Sequence, residues 1–154
     1  METDNLASRT VRSRKPTTTS ILGAGLASMA AAVIANQIVR VILFAVLDLP
    51  REFPPLQTGS IMIFTLIGTG LGVLVYMLVI KRSANPTRTY LVIATIALIL
   101  SILPNLGLMA NPSAAPFPGG SALAFGVLVM FHFVAALVFI PLLIRLSWLG
   151  IDKA

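Results

Sequence analysis

The amino-acid sequence predicts an all-α protein, a bundle of four transmembrane helices with both termini cytoplasmic. Three observations carry this expectation. Of the 154 residues, 57% are hydrophobic and only 10% charged, whereas about a quarter of a soluble domain is charged. With a mean hydropathy of +0.97, lipid is the solvent that such a surface suits. Charge-free stretches run over 16–39, 53–80 and 89–144, and a helix needs roughly 20 apolar residues to cross about 30 Å of hydrocarbon. Finally, the basic residues gather on one predicted side. The first observation excludes a soluble enzyme, a disordered chain and a secreted mini-protein. The second disfavours a barrel, whose strands would alternate apolar and polar residues.

Residues 1–19, rich in Ser, Thr and Arg, read as a disordered basic cytoplasmic tail, a topology anchor in preference to an interaction arm. The transmembrane domain follows over 20–147. Its first span covers about 20–47. A signal peptide cleaved near Ala30-Ala31-Ala32 is the rival reading, disfavoured because apolar residues continue to Leu47, far beyond an h-region of about 7–15 residues. The second span covers 57–80. The third charge-free stretch is too long for one crossing and is interrupted by Leu103-Pro104-Asn105 and by the turn-forming run from Asn111 to Gly120. It therefore holds two spans, 89–109 and 121–146. Pro104 is expected near the outer end of the third helix, shaping its exit. Pro141 lies inside the fourth, where it removes a backbone hydrogen bond and kinks the helix. Residues 148–154 form a second short cytoplasmic tail.

Orientation follows from the cations. Arg9, Arg12, Arg14, Lys15, Lys81, Arg82, Arg88, Arg145 and Lys153 fall on one side, nine of the eleven. Arg51 lies opposite and Arg40 within the first span. The positive-inside rule places both termini in the cytoplasm of a plasma (inner) membrane protein, so the net charge of +6 is a topology signal and nucleic acid is not expected as a partner. Tyr76, Tyr90 and Trp148 fall near the cytoplasmic helix ends, where amphipathic rings favour the interface.

Association of helices in lipid depends on close backbone approach. The first helix carries Gly23, Ala27, Ala31 and Ala35 in one row, with Ala24, Ser28, Ala32 and Asn36 beside it; the second carries Gly68 and Gly72. These rows predict tight packing of helices one and two, within one chain or across a dimer.

Polar residues within the spans are few. Asn36 and Arg40 share a face of helix one, Gln37 is adjacent, and His132 on helix four is the single histidine. Counted from the outer helix ends, Asn36 and His132 both lie about 16 Å deep and so are able to face one another. Arg40 lies nearer the outer surface, able to snorkel or to approach Asp48 and Glu52. Three readings stay open, in decreasing order of weight: interhelical hydrogen bonds that hold the bundle, a ligand pocket of Asn36, Gln37, Arg40 and His132, and metal or pigment ligation by His132. One histidine is a poor metal site, and no cofactor is expected. There is no Cys, no His-Glu-x-x-His pair and no phosphate loop. Ser121 and His132 are too far apart on one helix for a dyad, and Asp48 and Glu52 read as loop solvation.

Several of these segments resemble a known family. Ala31-Ala32-Val33-Ile34-Ala35-Asn36 followed by Arg40, Asn85-Pro86-Thr87-Arg88-Thr89-Tyr90, Leu103-Pro104, and Met130-Phe131-His132-Phe133-Val134-Ala135-Ala136 with Pro141 are similar to an uncharacterised bacterial four-helix membrane family, domain of unknown function family 6069. The resemblance covers about Ser20 to Leu146, outside the tail. It implies a four-span bacterial inner-membrane protein of unassigned activity and supplies no catalytic residue. The function expected is that of a structural or accessory membrane protein acting through helix packing with itself or a membrane-protein partner. The alternative is a small-ligand carrier or sensor using Asn36, Arg40 and His132.

Overall fold

A threonine starts the first helix. In the computed structural model, which describes residues 15–116 and 118–149, the Thr17 hydroxyl accepts from the Ser20 amide at 3.2 Å, satisfying one of the amides that a helix start leaves free. Helix α1 then runs over Thr18–Val46. A loop containing the 3₁₀ turn Pro54–Leu56 leads to α2, Thr58–Arg82. Helix α3, Pro86–Ala110, opens on a proline, whose missing N–H costs nothing in a first turn. After a second 3₁₀ turn at Pro112–Ala114, the Ser121 hydroxyl accepts from the Ala124 amide at 3.1 Å and α4 covers Ala122–Leu149. No strand occurs among the described residues. All four helices are long and apolar enough to cross a membrane.

The helix ends differ from the expected spans by at most three residues. Pro104 sits inside the last two turns of α3, which continues to Ala110, near the outer end as expected. In hydrocarbon an interrupted helix would expose several unpaired backbone groups, each costing more than the one bond a proline removes. Lys15 to Thr17 are held in place at the end of the supposed tail, whereas residues 1–14 and 150–154 lie outside the described residues.

The helices form a ring in which each packs on its two chain neighbours, α1 and α4 closing it with the most extensive contact; α2 and α4 barely touch across the diagonal. The start of α1 and the end of α4 share one end of this ring, the chain-end face. The interior is divided along its length. Towards the chain ends lies a cluster including Ile21, Ala24, Val73, Tyr76, Tyr90, Phe139 and Leu143. Towards the connecting loops, Leu49, Phe53 and Leu56 of the first loop fold back on Ala124, Phe125 and Phe131. Phe53 meets Phe125 edge to face at 5.4 Å, a favoured aromatic arrangement. The left-handed Gly119 (φ 79°) turns the third loop close to Pro50 and Phe53. The two loops thus cap that end together.

The small-residue rows divide unequally. Ala24, Ser28, Ala32 and Asn36 are buried, so this row, with Gly25, forms the intramolecular seam. A Cβ at Gly25 would lie 2.8 Å from the Val73 Cγ2. Gly23 and Ala27 face outward and Ala31 is half-buried. Gly72 packs inside, where a Cβ would lie 2.7 Å from Phe139, but on α4 and α3 rather than on α1. Gly68 is exposed, with nothing within 4 Å of an added Cβ. Gly23, Ala27 and Gly68 therefore take no part in the seam between α1 and α2. Helices of period 3.6 rotate a four-residue row slowly around the axis, and the neighbouring row turned inward instead.

Candidate functional site

Four polar side chains of α1 and α4 were singled out by sequence, and three of them act between α1 and the start of α2. Asn36 is 1% exposed and its Nδ2 donates to the Thr65 Oγ1 at 3.0 Å. Gln37 donates to the Thr58 carbonyl at 3.2 Å. The Arg40 Nε donates to the Leu56 carbonyl at 2.8 Å, and its guanidinium carbon stands 4.5 Å from the centre of the Phe44 ring, within cation–π range. Together they fasten the first loop and α2 to α1. Gln57 adds a bond from its amide to the Arg51 carbonyl at 2.6 Å. Arg40 thus reaches a backbone carbonyl rather than Asp48 or Glu52.

His132 stands apart in its bonding. Its Nδ1 lies 2.8 Å from the Leu128 carbonyl of its own helix. A carbonyl only accepts, so Nδ1 carries the hydrogen and Nε2 keeps its lone pair in the neutral ring. No hydrogen bond joins His132 to Asn36, Gln37 or Arg40 among the described residues. The Asn36 Oδ1 is buried and has no partner there either. Below Asn36, the Thr69 hydroxyl bonds to the Thr65 carbonyl at 2.6 Å and the Ser28 hydroxyl to the Ala24 carbonyl at 2.7 Å, so this seam is lined with hydroxyls that satisfy themselves on their own helices.

A second polar group, near the chain ends, escaped the sequence reading. Lys15 donates to the carbonyls of Ile80 and Ser83, both at 2.9 Å, capping the C-terminus of α2 where a cation is favoured. The Ser20 hydroxyl donates to the Ser147 carbonyl at 2.7 Å, and the Ser147 and Tyr76 hydroxyls pair at 3.0 Å, linking α1, α4 and α2. The Ser83 and Thr89 hydroxyls pair at 2.8 Å across the short turn into α3. Tyr76 and Tyr90 are 0% and 2% exposed, with ring centroids 4.8 Å apart. They are core residues, not interfacial rings, because Tyr76 finds a polar partner inside the bundle. Trp148 is half-buried against the same cluster, and its indole N–H has no partner among the described residues. The only signal in the sequence was small hydroxyl residues near helix ends, a weak one.

Two recesses are apolar and open. One of about 410 Å³ lies where Leu43 and Leu47 of α1 approach Met109, Gly126 and Met130. Another, of about 310 Å³, runs along Gln37, Ile38, Val41 and Ile42. Among the described residues no three His, Cys, Asp or Glu side chains cluster to hold a metal.

A family model matches residues 8–147. The chain belongs to a family of unknown function, DUF6069. The match spans all four helices and begins within the Ser/Thr/Arg segment, earlier than the resemblance read from the motifs. Neither the curated proteins nor the solved structures yield a match.

Proposed function

We propose that this member of DUF6069 is a structural or accessory protein of the inner membrane of a bacterium, acting through helix packing with a second copy or a membrane-protein partner. The observation that carries the reading is where its polar groups go. Asn36, Gln37, Arg40, Ser20, Tyr76 and Ser147 all join one helix to another or to a loop, the pattern of a scaffold fixed in one arrangement. At the same time Gly23, Ala27 and Gly68, which allow close backbone approach, face outward. Among the described residues, Lys15, Lys81, Arg82, Arg88 and Arg145 at the chain-end face against Arg51 in the first loop support a topology with both termini in the cytoplasm. Purification of the full chain in mild detergent, with mass spectrometry of everything that co-elutes, tests the reading. A second copy or one partner protein in fixed stoichiometry is expected, and a monomer carrying a stoichiometric small molecule other than a membrane lipid would overturn it.

One pair of observations favours a second reading, a carrier or sensor of a small ligand at Asn36, Arg40 and His132. The unpartnered Asn36 oxygen and the free His132 Nε2 are a buried acceptor and a half-buried one. The variants Asn36→Leu and His132→Phe test it, since a shared ligand would be lost from both.

A further inference from the structure

Arg40 is a half-buried cation and the one charged residue of α1, and its place along the helix is informative. From Thr18 to Arg40 is 22 residues, about 33 Å at 1.5 Å per residue, against about 30 Å of hydrocarbon. With the chain-end face at one headgroup level, Arg40 stands at the other, which sets Asn36 about 6 Å inside it and not the roughly 16 Å counted from the end of the span. The neighbouring elements agree, because its Nε bonds to Leu56, immediately before α2 begins. Among the described residues no carboxylate pairs with it, and only Nε finds an acceptor. Both terminal guanidinium nitrogens are left for an acceptor from outside. The guanidinium leans over Phe44, on the side of the helix where Gln37 and Val41 lie. The recess along Gln37, Ile38, Val41 and Ile42 begins there. Its apolar row continues through Ile34, with Val41 64% and Ile34 59% exposed. The first turn of α2 opens beside Gln37 without a side-chain cap and adds positive potential.

We propose that Arg40 holds the phosphate of one phospholipid in the leaflet at the loop end, with an acyl chain of that lipid lying along Val41, Ile38 and Ile34. A guanidinium with two free nitrogens matches a phosphate in bidentate fashion. The adjoining apolar row selects an amphiphile over a soluble anion. The site is independent of whether the protein self-associates.

The test is lipid retention by the full chain in mild detergent, titrated with phosphatidylglycerol and read by native mass spectrometry. Wild type is expected to retain one lipid per chain, Arg40→Gln to bind it about tenfold more weakly, and Arg145→Gln, at the opposite end, to bind it as wild type does. Ile38→Trp, which fills the recess and keeps the guanidinium, gives a second readout should Arg40→Gln unfold, and it is expected to weaken retention as well. Glycerol 3-phosphate, a headgroup without chains, is expected not to displace the lipid. Undiminished retention in folded Arg40→Gln or in Ile38→Trp, equal loss in Arg145→Gln, or displacement by glycerol 3-phosphate would each overturn the proposal.

Discussion

Asn36 has half its amide satisfied, and its bond to Thr65 fixes how α1 and α2 face each other. Interhelical hydrogen bonds in membranes contribute about 0.6 kcal/mol on average and rarely more than about 1.7. Asn36→Leu and Thr65→Val should each lower the melting temperature in detergent slightly, and the double variant should cost less than their sum, since the two share one bond. Strict additivity would show that the bond contributes nothing. The glycines allow a sharper contrast. Gly72→Leu drives a side chain into Phe139, 2.7 Å from the first added carbon, and overpacking of this kind costs about 1–3 kcal/mol or more. Gly68→Leu points into open space and should leave the isolated fold intact. Equal melting of the two variants would contradict the facing assigned to them. None of this facing was legible in the sequence. A helix apolar on all sides has no hydrophobic stripe to mark the inward face, so Gly23 and Ala24 were equivalent until the partners were in place. Asn36, Gln37 and Arg40 stood out because polarity in a span is rare. Lys15, Ser20 and Ser147 did not, since polar residues at helix ends are ordinary.

At the level of elements, the spans were legible to within three residues from charge-free stretches and the turn-forming run, whereas Thr17 and Pro86, which open α1 and α3 by side-chain and ring geometry, went unread as helix starts. Pro104 stays within α3 because a breaker's effect depends on solvent, and lipid makes breaking more expensive than bending. The two ends of the bundle are secured differently. Near the chain ends, Lys15 caps α2, and Lys15→Met should loosen its last turn by about 0.3–1 kcal/mol, seen as faster hydrogen exchange at the amides of 79–83 and unchanged exchange in α4. No change in α2 would show the contact to be idle. At the loop end, the first loop is held by Phe53, fully buried against Phe125. Phe53→Ala should cost about 3–5 kcal/mol and open the 47–57 loop to protease. A loop as resistant as wild type would mean that Arg40 and Gln37 hold it alone.

Across the whole molecule, membrane class and four-helix architecture followed from composition, because the bilayer imposes length and apolarity on any spanning helix. The cyclic order of the helices was not legible, as the contacts that close it, α1 on α4 above all, join the two ends of the chain. The least buried member is α3, whose buried residues are only Pro86 and Tyr90, while across the ring from it α1 turns Gly23 and Ala27 outward. The central claim is that these outward small residues meet another protein. The chain has no cysteine, so single cysteines can be placed at will. Oxidative cross-linking in native membranes tests the claim most directly. Ala27→Cys and Gly68→Cys, facing outward, are compared with Ala32→Cys on the inner seam. A cross-linked dimer or a discrete partner adduct at Ala27→Cys or Gly68→Cys, and none at Ala32→Cys, is the predicted result. Monomer alone at all three positions, in variants inserted and folded as wild type, would contradict it.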